Sequence, residues 1–237
     1  MNDAARPVKK AIRSLRSEVY AHLRSMMSDG RLQPGVYLDL KGLAAEIGIS
    51  RTPLRDALLR LESEGFVEIL NRRGVRVVKL TPTRIRWIYE VLGGLESAGL
   101  LSVASRINSQ VVSRMEELNA DMVTTLDQGD FGGFYAADLA FHDCFLSLSD
   151  NLELIRHTHL LKQRLYDFPR REGFVPEWER ASILEHTRLV TLLREGRPTA
   201  AADFLRDVHW SFAYQEPFIR RYYALSTGGK APQASRT

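Results

Sequence analysis

The chain has one cysteine in 237 residues, Cys144. That excludes an internal disulfide, and it excludes zinc modules built on cysteine pairs. Following His142 and Asp143 in a helical stretch, Cys144 reads as a small buried hydrophobe. Long apolar runs are also missing. None approaches the roughly 18 residues needed to span a bilayer. The stretch Met1 to Lys10 is polar, without the apolar core of a signal peptide. These absences point to a cytoplasmic protein without a membrane partner. Beyond Pro82 no strand-like alternation is present, and no internal repeat is visible anywhere.

Hydrophobic residues make up 44% and charged residues 26%, the proportions of an ordinary globular protein. The formal charge of +4 is unevenly spread. Residues 1–80 hold 15 Lys/Arg and 9 Asp/Glu, whereas residues 81–237 hold 18 and 20. A basic front ahead of a mildly acidic rear suits a front that meets a polyanion.

The front reads as three helices and a hairpin. Leu15, Val19, Leu23 and Met26/Met27 recur at helical spacing between Ile12 and Ser28. Gln33-Pro34-Gly35 is a turn. Asp39 can cap a short helix holding Leu43, Ala44 and Ile47, which Gly48 ends. The next helix starts near Ser50, with Ser50 or Thr52 as N-cap and Pro53 in the first turn. Leu54, Ala57, Leu58 and Leu61 form its inner stripe, and Gly65 stops it. Phe66–Leu70 and Val75–Leu80 then flank Asn71-Arg72-Arg73-Gly74 as a β-hairpin.

This order is that of a winged helix-turn-helix. Its third helix places Ser50, Arg51, Thr52 and Arg55 at the N-terminal end, the part that reaches base edges in the major groove. An arginine fork can bond both guanine acceptors, and a helix N-terminus offers free N–H groups to phosphate. Arg72 and Arg73 stand at the hairpin tip, where a wing can follow the DNA backbone or enter a minor groove.

The rear reads as almost wholly helical, over about 83–106, 111–128, 131–148, 151–168, 176–195 and 199–224. The expected organisation is a flexible tail (1–11), the winged helix-turn-helix (12–80), a linker (81–83), a helical domain (84–225) and a disordered tail (226–237). Neighbouring apolar residues put His142, His186 and His209 on inward helical faces. Asp138, four residues before His142, points the same way. A carboxylate on an inward face is costly unless paired or bound to metal. Three histidines and an aspartate can hold zinc, nickel, iron or copper, or manganese with the carboxylate. Each histidine can equally be a hydrogen-bonded core residue, leaving a metal-free structural cluster. His157 and His159 read as surface or pocket-lining residues. A metal-dependent enzyme would also need a base or nucleophile beside the metal. Glu185 adjoins His186 in sequence but faces about 100° away, so no catalytic residue is assigned.

The run Leu43 to Leu58, which contains Ser50-Arg51-Thr52-Pro53-Leu54-Arg55, resembles the N-terminal domain of the GntR family of bacterial regulators. So do Leu32-Gln33-Pro34-Gly35 and Leu61-Glu62-Ser63-Glu64-Gly65-Phe66-Val67. The resemblance implies operator contacts from Arg51, Thr52 and Arg55, from Lys41, and from the wing around Gly74. Lysine at 41 keeps a phosphate contact without bidentate reading. Asp138-Leu139-Ala140-Phe141-His142, Asn151, Glu185-His186 and Ala202 leading to His209 are similar to the helical C-terminal domain of the FadR-type subfamily. That likeness implies an antiparallel bundle of six or seven helices. It also implies a divalent metal, zinc or nickel first, on Asp138, His142, His186 and His209.

Taken together, these readings give a mainly α chain. They lead to a ligand-responsive, sequence-specific DNA-binding regulator, expected to be a homodimeric repressor on a roughly palindromic operator. Its effector is a small metabolite, a carboxylate in relatives. The family commonly carries an arginine shortly before Leu95-Glu96, whereas this chain has Leu92-Gly93-Gly94 there. Arg164 or Arg106 is expected to substitute as an effector contact. The two glycines leave room for a bulkier ligand or mark a kink.

Overall fold

The computed structural model describes residues 15–166 and 175–226. The chain divides into two compact units, and the division falls between Lys79 and Leu80. The expected tail 1–11, all but Ser226 of the tail expected over 226–237, and the end of the helix expected over 151–168 lie outside the described residues.

In the first unit, α1 (Leu15–Ser28) buries Val19, Leu23, Met26 and Met27. Helix α2 (Leu40–Ile47) is capped by the Asp39 side chain, which accepts from the backbone N–H groups of Lys41 and Gly42. Gly48 follows at φ 73°, a left-handed conformation that suits glycine, and turns the chain toward α3 (Arg51–Ser63). The expected stripe of Leu54, Ala57, Leu58 and Leu61 is buried. Ser50 holds the N-cap position, but its side chain makes no capping bond, so no side chain satisfies α3's first amides at that position. Strands β1 (Val67–Leu70) and β2 (Gly74–Val77) pair antiparallel, with Val67 opposite Val77 and Leu70 opposite Gly74. They form the expected hairpin, one strand residue shorter at its start and three shorter at its end than the sequence reading.

The second unit contains seven helices among the described residues. They are α4 (Pro82–Ser102), α5 (Ser109–Asp127), α6 (Phe131–Leu146), α7 (Leu152–Tyr166), α8 (Pro176–Arg194), α9 (Pro198–Phe204) and α10 (Phe212–Ser226). Caps set several of the starts. Thr81 accepts from the Arg84 N–H, Asn108 from Val111 and Asp130 from Gly133. Met115, Met122, Phe141, Phe145, Leu189 and Leu205 are central to the core between them.

The final helix expected over 199–224 is two. A π-helical turn, Leu205–His209, follows α9, and the chain breaks at Trp210 and Ser211 before α10. In a regular helix adjacent residues point about 100° apart. Here the wide turn and the break let His209 and Trp210 both lie buried, at 8% and 4% exposure. Helix α4 runs unbroken through Gly93 and Gly94. Gly93 marks a close approach: a Cβ there would lie 3.3 Å from the Arg206 Cα and carbonyl oxygen and from the Trp210 Cβ. The space at Gly93 is therefore filled by the π-turn and not left for a ligand. Gly94 faces open space.

Candidate DNA-reading face and metal centre

Lys41, Ser50, Arg51, Thr52, Arg55, Arg72, Arg73 and Gly74 are all exposed. Among the described residues, the arginines of this set have no carboxylate partner. Others of the same unit do: Arg16 with Asp56, Arg31 with Glu46, Arg60 with Glu64 and Arg76 with Glu68. Arg72 adopts φ 59° at the hairpin turn, a left-handed conformation rare for a residue with a Cβ.

The second unit brings His142, His186 and His209 together. Their ring centroids are 5.0 to 5.2 Å apart. One ring nitrogen from each lies within 4.8 Å of the others. Small ring rotations would bring three such nitrogens onto one ion, whose bonds to imidazole are about 2.0–2.1 Å. Asp138, also buried, borders the triad, its Oδ1 lying 3.7 Å from His186 Nε2.

Two of the three imidazoles are held from behind by carboxylates. Glu96 Oε2 lies 2.7 Å from His142 Nδ1, and both side chains are fully buried. Glu185 Oε2 lies 2.8 Å from His209 Nδ1, and Gln215 donates to the other Glu185 oxygen at 2.9 Å. A carboxylate on Nδ1 fixes the ring and the tautomer that leaves Nε2 as a lone-pair donor. His186 instead stacks on Phe141, with ring centroids 4.0 Å apart. His142 Nε2 and both His186 nitrogens are buried without a hydrogen-bond partner among the described residues. Buried polar atoms are ordinarily satisfied, so these orphaned nitrogens fit a ligand the protein itself does not supply. A divalent ion matches that donor set.

Burial favours the neutral imidazole at two of the three rings, His186 and His142. Burial pushes His186 well below the ordinary histidine pKa, and the neighbouring His209 and His142 push it further. Burial also lowers His142, with Glu96 partly offsetting it. Burial acts to raise Glu96, but His142 and Lys162 outweigh it and hold Glu96 below the usual carboxylate range. Glu96 is thus an anion paired with Lys162, whose Nζ lies 2.6 Å away, 1% exposed. Trp210 adds a third contact, donating its Nε1–H to Glu96 at 2.8 Å.

Sequence reasoning missed Glu96, Lys162 and Trp210. It treated Glu185 as facing away from His186, and it does, but toward His209. The two arginines expected as effector contacts do not line the cavity beside the triad. Arg106 is exposed and bonds Asp150 at 2.6 Å. Arg164 sits with Arg84 and Trp87 in a separate surface groove of about 310 Å³. Near the triad, α4 presents Gly93 to the π-turn, and a buried lysine of α7, Lys162, supplies the cation beside Glu96. His159 pairs with Asp143 at 2.7 Å near the surface, and Cys144 is half-buried, bonding the Ala140 carbonyl.

Beside the triad lies a narrow cavity of about 30 Å³. Asp138, Glu179, Glu185 and His209 line it together with aromatic rings. Glu179 is buried and accepts from the Tyr135 hydroxyl at 2.6 Å.

Two family models match the chain. Residues 15–77 match the bacterial regulatory proteins of the gntR family, and residues 87–208 match the FCD domain. An HTH-type transcriptional regulator from the TAR-I ttuE-ttuC' intergenic region of Agrobacterium vitis is 31% identical over 134 residues. That alignment spans 55% of this chain and 78% of the relative. The gluconate operon transcriptional repressor of Bacillus licheniformis is 28% identical over 143 residues, covering 60% and 56%. The solved structure of McbR/YncC from E. coli shares the fold, with a TM-score of 0.67 and 21% identity over 90% of this chain and all of that one. These relatives are described as regulators of transcription, and enzymes do not figure among them.

Proposed function

The chain belongs to the gntR family of bacterial regulatory proteins, with an FCD domain behind its helix-turn-helix, and from that footing we propose that it is a metabolite-responsive repressor with a metal-holding sensor. The observation that carries the sensing half is the set of orphaned, buried nitrogens of His142 and His186 facing His209. His142, His186 and His209 would hold a divalent ion, zinc or nickel in first place and manganese or iron as alternatives, with Asp138 as the carboxylate ligand. When bound, such an ion offers open coordination positions to a small ligand. Glu96 and Glu185 orient two of the imidazoles, and the closely packed rings exclude bulk water.

The reading half rests on Arg51, Thr52 and Arg55 at the start of α3, with Lys41, Ser50 and the wing residues Arg72, Arg73 and Gly74 on phosphates. Two such heads in a homodimer fit a roughly palindromic operator, because half-site spacing must match the separation of two recognition helices. A ligand that changes this separation changes operator affinity. The repressor assignment follows the gluconate operon relative. A cytoplasmic location follows from the DNA-binding role, and no described helix is long and apolar enough to cross a membrane.

Metal analysis of protein purified without chelator or a nickel column tests the sensor. About one equivalent per chain is expected, and less than one-tenth of an equivalent counts against the site.

A further inference from the structure

We infer that Glu62 sets the wing against the recognition helix and is a positioning residue for DNA binding. This rests on the reading role proposed above for α3 and the wing. Glu62 lies in the last turn of α3, and its Oε1 accepts the Ile69 backbone N–H at 2.9 Å. Ile69 belongs to β1, which leads into Arg72 and Arg73 at the hairpin turn. The bond therefore ties the helix that carries Arg51 and Arg55 to the strand that carries the wing tip.

The register of the hairpin shows why a side chain is used there. The Val78 N–H donates to the Phe66 carbonyl, so residues 66, 68 and 70 turn their backbone groups toward β2. Residues 67 and 69 turn theirs outward. On its far side β2 is bonded too: Gly35 and Leu38 donate to the Val77 and Val75 carbonyls, and Val77 donates to Val36. Among the described residues β1 has no second strand beside it, and Glu62 meets its outer edge at Ile69.

A hairpin with strands this short is marginal by itself, so what it leans on decides where its tip sits. Glu62 and Ile69 are both exposed, and water would satisfy the amide if the carboxylate were removed. The bond thus adds little to stability, and its effect falls on geometry. A tilt of β1 at Ile69 carries to Arg72, Arg73 and Gly74. The base contacts of α3 and the backbone contacts of the wing must be made together, so the wing angle enters the affinity. The charge of Glu62 repels phosphate, so any help it gives to DNA binding is indirect, through the wing.

Glu62→Ala and Glu62→Gln in the full-length chain test this. Each is titrated, below its melting temperature and over a range of salt, against a duplex from the protein's own upstream region and an unrelated duplex. Glutamine keeps an acceptor oxygen and drops the charge. Glu62→Ala is expected to bind both duplexes about 3- to 10-fold more weakly, the size of one hydrogen bond. Its salt dependence should be shallower, because wing contacts to phosphate are lost. Glu62→Gln should stay within about twofold of wild type. Exchange of the Ile69 amide hydrogen should quicken in Glu62→Ala and not in Glu62→Gln. Arg73→Ala should cost less affinity in the Glu62→Ala background than in wild type, since the wing is already displaced. If Glu62→Ala binds as tightly as wild type or tighter, or if the two variants weaken binding alike, the inference is overturned. Arg51→Ala on the same duplexes separates the failures. If it keeps the preference for the upstream duplex, the reading role itself fails. If it loses that preference while Glu62→Ala has no effect, this inference alone fails.

Discussion

His142 Nδ1 and Glu96 Oε2 lie 2.7 Å apart with both side chains fully buried, and Lys162 closes on the opposite Glu96 oxygen at 2.6 Å. This makes Glu96 a hinge between two needs: it orients a histidine and it neutralises a lysine. Glu96→Gln should therefore do two things. It should weaken metal binding about 10- to 100-fold, the usual effect of removing a carboxylate behind a ligating histidine. It should also destabilise the unit by about 3–5 kcal/mol, because Lys162 is left buried and unpaired. Adding Lys162→Met should restore most of the stability but not the metal affinity. Denaturant titration and metal competition separate the two effects. A double variant that regains both would show that Glu96 matters only as a counter-charge.

Gly93 and Gly94 are neighbours in α4 with opposite surroundings. Gly94→Ala enters open space and should stabilise by about 0.5–1 kcal/mol through helix propensity. Gly93→Ala places a Cβ 3.3 Å from backbone atoms of Arg206. Backbone there cannot yield as a side-chain tip can, so this variant should lose about 1–3 kcal/mol. Melting curves of the two variants check the contrast.

How far these features could be read in advance depends on the kind of signal. The stripe Leu54, Ala57, Leu58 and Leu61 was legible because burial repeats with the helical period. The inward setting of Asp138, His142, His186 and His209 was legible for the same reason. Glu96 was not, since a buried carboxylate looks the same in sequence as a solvated one. Its partners, His142, Lys162 and Trp210, come from three other parts of the chain. The π-turn before Trp210 likewise has no local signature. It is held by packing against Gly93 and by the Trp210–Glu96 bond, both of which are long-range.

Tyr20 donates to Glu64, and burial first, then that carboxylate, pushes the phenol up to about 12. The fold thus favours the neutral phenol. Its contribution to stability is complete below the unfolded value near pH 10 and is lost as pH rises toward 12. Denaturant unfolding at pH 9 and pH 11.5 should show a larger loss in wild type than in Tyr20→Phe. Equal losses would mean that Tyr20 does not carry the effect.

Arg72 sits at the wing tip in a left-handed conformation. Arg72→Gly should hold stability or raise it by up to about 1 kcal/mol. The same change removes a cation from the DNA face and should weaken binding to all sequences alike, with a smaller salt dependence. Unfolding and salt-titrated DNA binding on one preparation read both outcomes.

The reading head is the account's central claim, and DNA binding by Arg51→Ala and Arg55→Ala tests it most directly. Full-length wild type and variants are titrated against DNA from the protein's own upstream region and against an unrelated duplex. Each variant should keep its melting temperature and lose specific affinity by about 1–3 kcal/mol, or roughly 5- to 150-fold. Non-specific binding should fall much less. If both variants bind the specific DNA as tightly as wild type, the N-terminal end of α3 is not the reading head and the account is wrong.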